Sequence, residues 1–217
     1  MKLGGRGSRQ LVAGIGLIPF AALCFGAATG GLGADPPEKI LHETGDWALR
    51  TLILSLAITP LRRWTGLSGL APHRRTFGLL AYFYASLHLS SYLVFELDFE
   101  WEKLGPAILD HPYIAVGFVT WLMLTPLALT STRRAIRRLG RRWVALHRLA
   151  YAAVLGAVLH FLWSVKADPT EPLIYGGIAL VLLVSRWIPS RPTPTERKPK
   201  TCATIPRPNQ DPKEGPA

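Results

Sequence analysis

The chain has 217 residues, 49% of them hydrophobic and only 18% charged, and its mean hydropathy is +0.22. A disordered protein is excluded, since it would be poor in apolar residues, and so is a disulfide scaffold, since Cys24 stands in an apolar run and Cys202 in a polar tail. The net charge of +11 would suit a nucleic-acid binder, a reading that depends on where the charges lie.

A membrane helix needs about 20 mostly apolar residues. Along the chain, residues 11–29, 47–61, 77–97, 113–129, 144–165 and 173–188 meet that description, the second and sixth being short. Pro19, Pro60 and Pro126 fall inside these runs or at their ends, where neighbouring helices make a proline tolerable. Lys2, Arg6 and Arg9 ahead of the first run also fit a secretory signal, but the run is long and no clean A-x-A site follows. No internal repeat is evident. The expected fold is all-α, a polytopic membrane protein whose six transmembrane helices form one bundle over residues 11–188. After it, residues 189–217 are rich in Pro, Lys, Arg and Thr and read as a disordered basic tail, preceded at the other end by a short N-terminus over residues 1–10.

Charge gives the orientation. Basic residues gather on the N-terminus, on the loop with Arg62, Arg63, Arg74 and Arg75, on the loop from Arg133 to Arg148, and on the C-terminal segment. The alternate loops hold Asp35, Glu38, Glu43 and Asp46, then Glu96, Asp98, Glu100, Glu102 and Asp110, then Asp168 and Glu171. By the positive-inside rule both termini are cytoplasmic and the acidic loops lie outside. This explanation also displaces nucleic-acid binding by the arginine run. Trp101, Trp143, Trp163 and Trp187 stand at span ends and read as interfacial anchors. Asp98, Glu100 and Glu102 read as a solvated outer loop that could dock a partner.

Ionisable residues inside the spans carry the chemistry. His42 and His111 fall in outer loops and His73 in an inner one, whereas His88 lies in the third span and His147 and His160 in the fifth. Both spans enter from the cytoplasm, so His88 and His160 reach similar depth in the outer half. Two facing imidazoles are suitable axial ligands for one haem iron. His147 lies about 20 Å further in, level with Arg74, where a second haem would complete an electron path. Helix phase opposes this arrangement, because 13 residues at about 100° each leave His147 roughly 140° from His160. A local bulge or different ring orientations are therefore expected, with Ala152, Ala153 and Gly156 between them leaving room for a macrocycle. Tyr82, Phe83, Tyr84 and Tyr92 are read as packing residues beside this site. The alternative from the residues alone is a small transporter or scaffold whose histidines join helices or relay protons.

Several stretches sharpen the choice: Gly-Gly-Leu-Gly-Ala-Asp-Pro at 30–36, Ile-Thr-Pro-Leu at 58–61, Leu-His-Leu-Ser-Ser-Tyr at 87–92, Leu-Thr-Ser-Thr at 129–132, Leu-Gly-Arg-Arg-Trp at 139–143, His-Phe-Leu-Trp-Ser-Val-Lys at 160–166 and Pro-Leu-Ile-Tyr at 172–175. In this order they resemble the MsrQ (YedZ) family of the ferric-reductase-like superfamily. The resemblance implies a bacterial inner-membrane haem b protein that passes electrons to MsrP, a periplasmic molybdenum enzyme reducing methionine sulfoxide in oxidised proteins. It places His88, His147 and His160 on the family's haem-ligand positions and Arg74 where related oxidases carry a histidine. FMN is also implied, although no glycine loop here could cradle its phosphate. With no dinucleotide fingerprint in the chain, the donor is expected to be a quinol or a separate cytosolic flavin reductase.

Overall fold

A computed structural model describes residues 5–165 and 168–186. Lys2, Lys166, Trp187 and the expected tail at 189–217, with Cys202, lie outside them. Among the described residues every regular element is helical. In chain order these are α1 (Arg6–Thr29), α2 (Pro36–Thr65), α3 (His73–Phe95), α4 (Trp101–Asp110), α5 (Pro112–Leu129), α6 (Arg133–Leu139), α7 (Arg141–Leu146), α8 (Leu149–Ser164) and α9 (Thr170–Val184), with one 3-10 turn at Ser68–Leu70.

The ends of these helices are written locally. Asp35 caps α2 by accepting the Glu38 N–H at 3.0 Å, and two prolines follow in the first turn, where no N–H is needed. Gly66 closes α2 in the left-handed region at φ 71°, which a side chain would strain. Thr132 caps α6 by accepting the Ala135 N–H at 3.1 Å. Asp98 and Phe99, at φ 48° and 60°, make the tight turn from α3 to α4.

Among the described residues each of the six apolar runs is mainly helical, the fifth being divided between α7 and α8. Residues Gly7–Thr29, His73–Phe95, Pro112–Leu129 and Arg141–Ser164 are long and apolar enough to cross a membrane, and Thr170–Val184 is a shorter apolar helix. α2 is the longest helix, at 30 residues, but carries Asp46 and Arg50 beside its apolar stretch. Leu11, Ile15 and Phe25 of α1 and Leu180, Val181 and Val184 of α9 are exposed. So many bare apolar side chains require a lipid surround, and the chain is a polytopic all-α membrane protein.

α2 packs along α3 and α5 along α8, making two hairpin-like pairs; α3 also touches α5, α1 lies against α3, and α9 lies against α8 and α2. The core joins Leu49, Leu52, Ile53 and Leu56 of α2 to Ala81, Leu124, Ala153, Val154 and Ala179 of the other helices. In lipid, apolar transfer gives helices little reason to associate, so close packing at small residues such as these alanines must do it. Polar ties add to that packing. Arg50 donates to the Tyr175 hydroxyl at 2.8 Å, joining α2 to α9. Arg186 donates to the Tyr151 hydroxyl at 2.7 Å and to the Leu56 carbonyl at 2.8 Å, joining the end of α9 to α8 and α2.

α1 is held by the α3 face. Tyr84 is fully buried and donates its hydroxyl to the Gly16 carbonyl at 2.7 Å, while Phe20 meets Phe83 edge-on at 5.3 Å. Tyr82 stacks on Trp121 of α5 at 6.2 Å. These aromatic side chains do pack, as expected. A groove of about 290 Å³ between α5 and α8, lined by Val119, Met123, Ala152 and Gly156 among others, is open. Because the Tyr84 hydroxyl bond spans two helices in an apolar surround, Tyr84→Phe should lower stability in detergent by about 1 kcal/mol, read as a fall in Tm. An unchanged Tm would mean that α1 docks by packing alone.

Candidate functional site

The two histidines expected to pair do meet. His88 of α3 and His160 of α8 stand with ring centroids 5.9 Å apart and ring planes at 79°. Neither ring is free to turn. His88 Nδ1 lies 2.9 Å from the Leu41 carbonyl of α2, and His160 Nδ1 lies 2.7 Å from the Tyr113 carbonyl of α5. A carbonyl oxygen only accepts, so each Nδ1 must carry the ring hydrogen. Each Nε2 then keeps its lone pair. Leu41 and Tyr113 fall near the starts of α2 and α5, which sets the pair toward the acidic ends of the helices.

A glycine backs each ring. A Cβ built on Gly45 would stand 3.1 Å from His88 Nδ1 and Cε1, and one on Gly117 would stand 2.7 Å from the same atoms of His160. The space occupied by the imidazoles therefore exists only because these positions lack side chains. The arrangement offers two neutral nitrogen donors from two helices, with hydrogen-bonded outer edges, a donor set suited to a transition metal in a planar macrocycle.

His147 lies at the other end of α8. The helix is broken there: α7 ends at Leu146, His147 and Arg148 form a turn, and α8 begins at Leu149. The turn interrupts the helix at the inner histidine itself. The His147 ring stacks on Trp143 at 3.8 Å with 26° between planes, and its Nδ1 lies 3.1 Å from the Trp143 carbonyl. Trp143 is itself pinned by its indole N–H, which donates to the Thr130 carbonyl at 3.1 Å. The Arg74 carbonyl accepts from the Ser55 hydroxyl at 2.9 Å. His73 is buried at the start of α3.

Sequence reasoning missed Gly45, Gly117, the two carbonyls and the role of Trp143. A usable signal exists for the first four: each carbonyl precedes its histidine by 47 residues, and each glycine follows its carbonyl by one helical turn. For Trp143 the signal is its position four residues before His147, one turn of helix away. Of the remaining outer residues, Glu100 pairs with Lys103 at 2.8 Å on the surface, and Trp163 is exposed at the end of α8.

Comparison with known proteins gives the family. Residues 44–158 match the ferric reductase like transmembrane component, a stretch that includes Gly45, His88, Gly117 and His147. The "Protein-methionine-sulfoxide reductase heme-binding subunit MsrQ" of Xanthomonas euvesicatoria pv. vesicatoria is 46% identical over 206 residues, covering 91% of this chain and 94% of that protein. The protein of the same name from Xanthomonas campestris pv. campestris strain 8004 is 53% identical over 70% of each chain, and that of Brucella anthropi is 43% identical over 87% of this chain and 84% of its own. With similarity of this extent, and an intramembrane histidine pair inside a helical bundle, the chain belongs to the MsrQ family of ferric-reductase-like transmembrane proteins.

Proposed function

We propose that the chain is a haem b electron-transfer subunit of a protein-methionine-sulfoxide reductase system, passing electrons outward to a periplasmic molybdenum reductase of the MsrP type that repairs oxidised proteins. One observation carries this reading: His88 and His160 face each other at 5.9 Å with both ring hydrogens held on Nδ1. Naming of the relatives for heme binding supports it. So does the fit of the donor set, since two neutral imidazoles backed by glycines form a cradle that side chains would fill.

When bound, haem supplies reversible one-electron chemistry at its iron. The chain's residues do the rest. His88 of α3 and His160 of α8 would hold the iron. The Leu41 and Tyr113 carbonyls fix the tautomer and raise the basicity of the ligating nitrogens. At the inner end His147, steadied by Trp143, is assigned to a second haem, with Arg74 as the nearby positive charge. With the two levels about 20 Å apart along the fifth span, groups held at both would complete an electron path across the bilayer.

The topology that serves this relay has six spans in the bacterial inner membrane, both termini in the cytoplasm, and residues 189–217 as a cytoplasmic tail. Electrons enter from a quinol or a cytosolic flavin reductase, since the chain has no dinucleotide fingerprint of its own. FMN takes no part in this reading. The outer acids, from Asp35 to Glu171, suit a partner with a basic patch, so transfer to the partner should slow as salt rises.

Two experiments test the proposal. The purified protein, once reduced, should give sharp α and Soret bands. His88→Ala and His160→Ala should each remove the same spectral component, while His147→Ala should remove a different one and leave the outer haem bound. A colourless protein would return the histidines to a scaffolding or proton-relay role. Loss of the outer component in His147→Ala, with its retention in His88→Ala, would overturn the pairing. Separately, a reporter fused after Pro189 should be active only as a cytoplasmic fusion; alkaline phosphatase activity there would sink the six-span topology.

A further inference from the structure

The pairs α2–α3 and α5–α8 are related by a constant offset of 72 residues (41 to 113, 45 to 117 and 88 to 160) that carries the whole histidine device from one to the other. The same offset takes Leu52 to Leu124, which are 4% and 6% exposed, and Ala81 to Ala153, both 0% exposed. Leu52 and Leu124 lie two turns beyond their glycines; Ala81 and Ala153 lie two turns before their histidines. Identical residues with matching burial at matching register, on top of an identical hydrogen-bond pattern, are the mark of an internal repeat. Sequence inspection does not show it because the shared positions are few and lie on one face of each helix.

Within each repeat the device has a definite logic. In an α-helix the carbonyl of residue n accepts from the N–H of residue n+4, so Leu41 is paired with Gly45 and Tyr113 with Gly117. A carbonyl has two lone pairs, and the second is normally screened by the neighbouring turn's side chains. Glycine at n+4 unscreens it. The imidazole can then approach closely enough for Nδ1 to donate, at 2.9 Å in the first repeat and 2.7 Å in the second. Each ring is thereby caught between an acceptor at its edge and a glycine backbone at its side, and the 79° between the two planes follows from where these supports sit.

We propose that Gly45 and Gly117 are positioning residues of the outer haem: each exposes one carbonyl to one ligand imidazole and so fixes the rotation of that ring about the bond it makes to the iron. The inference rests on the haem reading above. It is graded, because an added Cβ would lie 3.1 Å from the His88 ring, which a small shift relieves, but 2.7 Å from the His160 ring, which must then turn or move away.

The test uses the full-length protein with haem bound, comparing wild type, Gly45→Ala, Gly117→Ala and Gly78→Ala. Gly78 is a helical glycine of α3 where a Cβ would make only ordinary contact, at 3.5 Å from Ser55 Oγ. The readouts are haem content, the low-spin ferric EPR spectrum, which reports the angle between axial imidazole planes, and the midpoint potential of the outer component. Gly45→Ala should retain haem with a shifted largest g value, and Gly117→Ala should show a larger shift or lose part of its haem. Gly78→Ala should match wild type. If Gly117→Ala does not accumulate, Gly45→Ala against Gly78→Ala still decides. Haem-loaded Gly45→Ala and Gly117→Ala with wild-type EPR and potential would overturn the positioning role while leaving the haem reading intact. A wild-type protein without haem, or His88→Ala and His160→Ala variants that keep the outer component, would overturn the haem reading itself.

Discussion

An imidazole nitrogen that carries a hydrogen cannot also offer a lone pair, and two helix carbonyls settle which nitrogen carries it. The bonds from His88 to Leu41 and from His160 to Tyr113 each join two helices and each choose a tautomer. Their position near the starts of α2 and α5 fixes the depth of the pair, and their need for close approach fixes glycine at the next turn. Lipid makes such bonds consequential, because no water competes for the carbonyl and no apolar transfer pulls the helices together. Helix pairing and ligand orientation are thus set by the same contacts.

The rest of the bundle is tied by side chains that span helices in the same way. Arg50 to Tyr175 and Arg186 to Tyr151 and Leu56 anchor α9 at two levels. An arginine near lipid is costly unless its donors are engaged; Arg186 engages Nη1 and Nη2, while its buried Nε has no partner among the described residues. A chain whose charges cluster at span ends can therefore spend a few of them on holding its last helix.

Much of this was legible in the sequence because it depends on local pattern. The apolar runs became helices, and the equal depth of His88 and His160 followed from counting residues after Arg74 and His147. The phase conflict at His147 was also legible, and the helix is interrupted by a turn at that residue. What was not legible lies between helices. Gly45 and Gly117 look like ordinary small residues until a histidine is seen against them. Trp143 reads as an interfacial anchor by position, yet its ring lies on His147 and its N–H is spent on Thr130. A repeat confined to single helix faces leaves no run of identity to notice.

Outside the few shared positions the two pairs differ, and one of the differences falls on the surface facing α1. Tyr84 fills the first pair and reaches Gly16, whereas the residue that the same offset brings to its place is Gly156, where the groove of about 290 Å³ opens. On the first side the chain itself supplies the cover, since Tyr84 ties α1 over the face of α3. On the second the glycine leaves a recess edged by Val119, Met123 and Ala152. A nearly symmetric pair of supports therefore has two unlike flanks, one closed by a helix of the chain and one notched.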